Sequence, residues 1–128
     1  MTAKIEKGLT VKTKNEVGAL AKITKALSKA KVNMKALVAY AHGDQGIFYM
    51  IVNNQMVAKQ KLGELGEVSE SDVVVIEIAD RVGTLNDVAE KVSAAGVDID
   101  YCYVTADGKQ ALVVLATKDN AKAVEVIG

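Results

Sequence analysis

The sequence repeats itself with an offset of 65 residues, and this repeat is the strongest constraint on its fold. The stretch NEVGALAKITKALSKAKVNM begins at Asn15, and the stretch DRVGTLNDVAEKVSAAGVDI begins at Asp80. In both stretches a Val-Gly pair follows the polar residue after one intervening position. Two copies of one supersecondary unit in 128 residues predict two small repeats of the same fold.

Hydrophobic periodicity predicts the elements of the first copy. Residues 9–13 alternate between apolar and polar, which is typical of a half-buried strand, and residues 20–30 carry apolar side chains at helical spacing. Further on, the patterns predict a strand at 32–40, a strand at 47–53, a helix that begins at Asn54 and ends near Leu65, and a short strand around 67–69. The order is therefore strand, helix, strand, strand, helix, strand.

The second copy shows the same order from about residue 71. Its predicted strands lie at 72–79, 97–103 and 111–117, and its predicted helices lie at 85–95 and 119–127. The sequence stops at Gly128, where the fourth strand of this copy should begin. We therefore predict an α+β fold of two ferredoxin-like βαββαβ repeats with antiparallel sheets, over residues 1–70 and 71–128, with the second repeat lacking its last strand.

Two strands are apolar throughout rather than alternating. The runs VVVI at 73–76 and ALVVLA at 111–116 predict sheets that are covered on both faces. Helices can cover one face only, so the other face or the edges would need the sister copy or a second chain. A missing edge strand would also leave unpaired backbone groups. On these grounds we predict a homodimer or a higher homo-oligomer.

Composition argues against several classes of protein. The 16 basic and 16 acidic residues balance, which disfavours a nucleic-acid partner. No N-terminal apolar run resembles a signal peptide and no segment approaches membrane-spanning length, so we predict a cytoplasmic protein with no membrane partner. A single cysteine, Cys102, fits a reducing compartment.

Candidate catalytic and metal-binding residues are few. His42 stands in a glycine-containing turn, and Cys102 is interpreted as a buried, inert thiol in the middle of a strand. One His and one Cys are too few for a metal site, and no phosphate-binding glycine loop is present. Tyr101 and Tyr103 are interpreted as core residues rather than as platforms for stacked bases. The sequence therefore predicts no enzyme activity, no metal and no cofactor.

The repeated loop is the better candidate for a site. It places a polar residue and then a glycine directly before a helix, whose first N–H groups are free and carry a partial positive charge. A glycine lets a ligand approach the backbone closely, and the side chain of Asn15 or Asp80 could accept a hydrogen bond from an ammonium group. These features suit an α-amino acid. The alternative is an ordinary capped helix that is preceded by a turn glycine.

The two loops, each with the helix that follows, resemble the ACT domain. The family pattern is roughly N/D-x-P-G-x-L, a helix, then G-V/I-N/D-I, and both copies match it, so the chain resembles a tandem ACT protein without a catalytic domain. The copies depart from it at Val17 and Val82, which replace the family proline, and at Lys31, which replaces a glycine. The resemblance implies a ligand-binding role for Asn15, Gly18, Ala19, Leu20 and Asn33, and for Asp80, Gly83, Thr84, Leu85 and Asp98.

The resemblance also implies a function. It implies a non-catalytic regulatory protein that binds a small-molecule amino acid at an interface between ACT repeats or chains and acts as an allosteric sensor for an amino-acid-metabolic enzyme. Lys14 and Lys22 would favour the carboxylate at the first loop, while Asp80 or Asp98 would suit the ammonium group. The alternative is a structural or dimerisation module, or a regulatory subunit of a biosynthetic enzyme that has no ligand of its own.

Overall fold

Six strands and four helices follow one another in the predicted order. They are seen in a computed structural model that describes all residues from Met1 to Gly128. The elements are β1 (Thr2–Lys14), α1 (Ala19–Lys29), β2 (Met34–His42), β3 (Gln45–Val52), α2 (Gln55–Leu62), β4 (Glu67–Ala79), α3 (Thr84–Ala94), β5 (Ile99–Ala106), β6 (Gln110–Thr117) and α4 (Asn120–Ile127). None of the helices is long and apolar enough to cross a membrane.

The bounds of several elements differ from the sequence predictions. β1 begins at Thr2 rather than near residue 9, and β4 runs without a break through the segment where two separate strands were expected. α2 ends at Leu62, earlier than predicted, because the chain turns at Gly63 and Gly66. The predicted N-cap of α2 is confirmed, since Oδ1 of Asn54 accepts a hydrogen bond from the Val57 N–H.

The chain forms two compact units. The first-repeat unit is Lys7–Ser71, and the second-repeat unit combines Met1–Glu6 with Asp72–Gly128. Both long strands, β1 and β4, contribute residues to each unit. The units therefore differ from the predicted repeats in one main respect. The first six residues of the chain, Met1–Glu6, were predicted to belong to the first repeat but fold with the second.

The first-repeat unit is a complete βαββαβ fold. Its strand order is β2-β3-β1-β4, and β3 pairs antiparallel with both β1 and β2. The alternating residues of β1 and β3 point toward α1 and α2, and α1 contributes Ile23 and Leu27 at the predicted helical spacing. The buried core of this unit consists of Leu9, Val11, Ile23, Leu27, Val32, Phe48, Met50, Val52, Ala58 and Leu62.

The second-repeat unit has no strand after α4, as predicted, yet its sheet has four strands. The order is β1-β4-β6-β5, so the N-terminal part of β1, Thr2–Glu6, occupies the place of the fourth strand. Ala3 packs against the core of this unit, which includes Ile76, Val92 and Leu115. The predicted α+β fold of two ferredoxin-like repeats is confirmed, and the edge of the second repeat is not left open.

The apolar runs of β4 and β6 are buried on both faces, which confirms the prediction from their composition. No residue from Val73 to Ile76 is more than 2% exposed, and Val113, Val114 and Leu115 are buried to the same degree. This burial occurs within one chain. Neither the two-sided burial nor the missing strand, which were the grounds for predicting an oligomer, therefore requires a second chain.

Candidate ligand-binding site

The loop between β1 and α1 is a type II turn. The Ala19 N–H donates to the Glu16 carbonyl at 3.2 Å, which closes a four-residue turn. Gly18 is the third residue of this turn and has φ 90° and ψ 1°, the values that a type II turn requires at that position. Only glycine adopts this left-handed conformation without steric cost. Val17 is the second residue of the turn, and its side chain is fully exposed.

The loop between β4 and α3 has the same conformation. The Thr84 N–H donates to the Arg81 carbonyl at 3.3 Å, and Gly83 has φ 91° and ψ −13°. Val82, at the second position of this turn, is again fully exposed. The repeat in sequence is therefore a repeat of one backbone geometry, in which a left-handed glycine directly precedes a helix.

The first loop forms one wall of a cavity of about 280 Å³ within the first-repeat unit. Four of the five residues predicted for this copy line it, namely Asn15, Gly18, Ala19 and Leu20. Sequence reasoning missed the opposite wall, which β2 and β3 supply through Ala39, Tyr40, Gly46 and Phe48. The pairing register of β2 with β3 brings these residues to the loop, and the alternation within single strands does not reveal that register.

Asn15 is anchored through its backbone and leaves its side chain available. Its N–H donates to the Asp44 carbonyl at 2.8 Å, which joins the loop to the β2–β3 turn. The exposed side-chain amide makes no hydrogen bond within the chain. It can therefore accept from and donate to a ligand in the cavity without breaking an internal contact.

The charges at the first loop are more balanced than the sequence suggested. The Lys22 Nζ, which was expected to favour a carboxylate at this loop, lies 3.0 Å from Oε1 of Glu16. The hydrogen bond from Lys22, together with the charge of its ammonium group, lowers the pKa of the Glu16 carboxyl. Glu16 is the one charged residue that lines the cavity, and its carboxylate is partly neutralised there by the ammonium group of Lys22.

Asn33 lies at the far end of α1 and does not line this cavity. Its N–H donates to Oδ1 of Asn53 at 3.0 Å, and its carbonyl accepts from the Asn53 N–H at 3.1 Å. The 11 residues of α1 span about 16 Å at 1.5 Å per residue. The unit therefore does not bring Asn33 and Asn15 to one ligand.

The second loop uses its polar side chains internally. Oδ2 of Asp80 accepts from the Gly108 N–H at 3.0 Å, and the Asp80 N–H donates to the Lys109 carbonyl at 2.9 Å. Oγ1 of Thr84 lies 2.8 and 2.9 Å from the carbonyl oxygens of Ala79 and Arg81, which share its single proton. The two side chains hold the turn and the β5–β6 hairpin together, a structural task that Asn15 performs with its backbone alone.

The other two predicted residues of the second repeat, Leu85 and Asp98, lie at opposite ends of α3, as Leu20 and Asn33 lie at opposite ends of α1. Leu85 is partly exposed beside the loop, as Leu20 is in the first repeat. Asp98 lies beyond the far end of α3, where its carbonyl accepts from the Lys118 N–H at 2.9 Å. It lines a different depression, formed with Val97 and Ile99. Asp98 and Asp80 therefore do not meet within this unit.

The sequence model of the ACT domain pair matches residues 3–128, almost the whole chain. The chain belongs to the ACT domain pair family. No curated protein matches it significantly by sequence.

Solved structures with the same fold cover nearly the whole ACT pair. A protein from Bacteroides thetaiotaomicron is 32% identical over 98% of this chain and 88% of its own, with a TM-score of 0.89. The ligand-free regulatory subunit of aspartate kinase from Thermus thermophilus superposes over 99% of this chain and 95% of its own, with a TM-score of 0.73 and 13% identity. The corresponding subunit from Thermus flavus gives a TM-score of 0.60 and 14% identity over the same shares.

Other chemically interesting side chains of the ACT pair lie away from the loops. Cys102 is exposed, so its interpretation as a buried thiol is wrong, because β5 is the edge strand of its unit. Partial burial still raises the pKa of the Cys102 thiol, which makes it a poor nucleophile at neutral pH. His42 is exposed as the last residue of β2. Tyr101 and Tyr103, which were interpreted as core residues, are half-buried and are not part of the core cluster. Their rings stack with 6.3 Å between the ring centroids.

Proposed function

We propose that this ACT domain pair is a non-catalytic regulatory protein that binds a small amino acid at the first loop. The observation that carries the proposal is the cavity of about 280 Å³, in which the start of α1, the free side chain of Asn15 and residues of β2 and β3 meet. The N–H groups of the first helical turn suit the α-carboxylate. Oδ1 of Asn15 accepts from the ammonium group, and the ligand side chain lies against Ala39 and Phe48.

The size and position of the cavity favour a small ligand held against a second surface. Its volume lies just below the range of about 300 to 1,000 Å³ that is usual for drug-sized ligands. Leu20 and Tyr40 at its rim are each 48% exposed, and β2 beside it is the edge strand of its unit. We propose that a second copy of the chain covers this rim, so that the complete site belongs to a homodimer.

This arrangement gives the predicted residues at the far ends of α1 and α3 a role. Asn33 and Asp98 do not reach the loop of their own unit, but in a homodimer such a residue can contact a ligand in the loop of the partner. The ligand would then act by stabilising one arrangement of the dimer over another. An enzyme of amino-acid metabolism is the proposed recipient of the signal, which agrees with the occurrence of this fold in regulatory subunits of aspartate kinase.

Calorimetric titration with each of the twenty amino acids tests the proposal. A lone amino acid at a surface site should bind with a free energy of about −4 to −7 kcal/mol, which is millimolar to ten-micromolar. Asn15→Ala should weaken binding by about tenfold while leaving the melting temperature unchanged, since the side chain makes no internal hydrogen bond. The matched control is Asn86→Ala, which removes an exposed side-chain amide on α3 that does not line the cavity.

Two outcomes would decide against the site. If Asn15→Ala and wild type bind the same amino acid equally well, the ligand lies elsewhere. If none of the twenty raises the melting temperature of the wild type, the chain is a structural or dimerisation module. That second candidate is favoured by one observation, namely that the second loop has already committed Asp80 and Thr84 to internal hydrogen bonds.

A further inference from the structure

A second concave surface lies between α1 and α2 of the first-repeat unit, away from the β1–α1 loop. It encloses about 410 Å³, and four lysines line it. Lys22, Lys25 and Lys29 come from successive turns of α1, and Lys61 comes from the last turn of α2. The packing of α2 on α1 gathers the α1 lysines with Lys61 around one groove.

Most of this positive charge is uncompensated. Lys25, Lys29 and Lys61 form no ion pair within the chain, while Lys22 is held by Glu16. Glu64 is the single acid among the lining residues.

The electrostatics of the two helices do not account for the whole cluster. Lys29 and Lys61 lie in the last turns of their helices, where a cation complements the helix dipole. Lys25, however, precedes Lys29 by four positions, a spacing at which like charges destabilise a helix.

The second repeat shows that the fold does not need these lysines. The positions of the second repeat that correspond to Lys22, Lys25, Lys29 and Lys61 are Asp87, Glu90, Ala94 and Val126. Two of the four charges are reversed and the other two are absent, although α3 and α4 pack on their sheet in the same way. The basic groove is therefore a property of the first repeat rather than of the architecture.

We propose that the groove between α1 and α2 binds a small multivalent anion, of which pyrophosphate is the simplest representative. Ammonium groups on two facing helices can contact several anionic oxygens at once, and lysine is a common phosphate ligand. Ala26, Ala30 and Leu65 form an apolar floor that can hold the organic part of a nucleotide or a polycarboxylate. The volume lies within the usual range for ligand sites.

Within the chain, the Glu16 carboxylate competes with a bound anion for the ammonium group of Lys22. Glu16 holds the ammonium group of Lys22, and Lys22 lines the groove, so an anion in the groove competes with Glu16 for that group. Removing the charge of Glu16 should therefore strengthen anion binding. General electrostatic attraction would also strengthen when this negative charge is removed, so the comparison of the lysine variants decides between a built site and solvated surface charges.

Calorimetric titration of the full chain with pyrophosphate tests the proposal. Replacing Lys25 and Lys61 together by Gln should weaken binding by about tenfold. Replacing Lys91 and Lys122 by Gln removes the same charge from the exposed helix surfaces of the second repeat and should change the affinity less than about twofold. Glu16→Gln should tighten binding.

The outcomes distinguish a specific anion site between α1 and α2 from nonspecific electrostatic attraction of the anion to surface lysines. No binding of pyrophosphate to the wild type, or an equal loss of affinity in both double variants, would overturn the proposal. ADP and citrate form further arms of the experiment. Tighter binding of either, lost in the Lys25 and Lys61 variant, supports the proposal and assigns the natural anion to nucleotides or to polycarboxylates. The variant of Lys25 and Lys61 changes no residue that lines the β1–α1 cavity, so its failure to lose pyrophosphate binding leaves the proposed amino-acid site intact.

Discussion

Replacing Val17 by Pro should stabilise the folded protein, because the first loop already has the backbone that proline prefers. The turn from Glu16 to Ala19 is of type II, and the second residue of such a turn has φ near −60° and is often proline. The Val17 N–H makes no hydrogen bond, so proline removes none. The Val17 side chain is fully exposed, so its loss costs no packing.

The size of the effect follows from the entropy of the unfolded chain. Proline at a compatible position contributes about 0.4 to 1 kcal/mol by restricting the unfolded state. With an unfolding entropy of about 2.1 cal/mol/K per residue, the 128 residues give a rise of about 1.5 to 4 °C in melting temperature if they unfold in one transition. Val82→Pro should add a similar increment, because its turn has the same geometry and lies in the other unit.

Urea denaturation of Val17→Pro, Val82→Pro and the double variant measures these increments, with Val17→Ala as the control for losing the side chain. The free energy of unfolding of Val17→Ala should lie within about 0.5 kcal/mol of the wild-type value. Gly18→Ala tests the next position. It should cost about 1 to 2 kcal/mol from backbone strain alone, since nothing lies within 4 Å of the added Cβ. A lower free energy of unfolding in Val17→Pro would refute the assignment of the turn.

Three further perturbations test other parts of the structure. Gly66→Ala would place a Cβ 2.5 Å from the Lys12 carbonyl oxygen and should lower the free energy of unfolding by about 1 to 3 kcal/mol in urea, so an unchanged midpoint would contradict this packing. Ala3→Asp would put a charge against the core of the second-repeat unit. Hydrogen exchange should therefore speed up in residues 72–79 but not in residues 45–52. Equal acceleration in both segments would argue against Thr2–Glu6 as the fourth strand of the second repeat. Burial raises the pKa of the Cys102 thiol, which lowers its thiolate fraction at any given pH. Cys102 should therefore react with iodoacetamide more slowly than free cysteine at pH 8, and its rate should rise at higher pH. A rate equal to that of free cysteine would contradict the shift.

Local patterns in the sequence were enough to predict the elements and the loops. Ile23 and Leu27 on α1 and the apolar runs of β4 and β6 follow from periodicity, which each segment carries by itself. The sequence placed a glycine directly before the first helix of each repeat, and the structure adds that Gly18 and Gly83 have the left-handed conformation. The family resemblance rested on the same local stretches and is confirmed by the match over residues 3–128.

The candidate site was only half visible in the sequence. The loop residues from Asn15 to Leu20 were named from their motif, but Tyr40 and Phe48 reach the cavity through strand pairing. The Glu16–Lys22 ion pair depends on side-chain positions at the start of α1. Lys61 joins the α1 lysines only because α2 packs beside α1.

The sequence by itself determined that the chain holds two copies of one βαββαβ repeat, each with a glycine turn before its first helix. Only the tertiary structure decided that Thr2–Glu6 supplies the fourth strand of the second repeat and that Cys102 lies on an exposed edge strand. The physical reason is the range of the interactions. Helix periodicity and turn conformation depend on residues a few positions apart, whereas strand order depends on hydrogen bonds between segments about seventy residues apart, for which a single sequence carries no local signal.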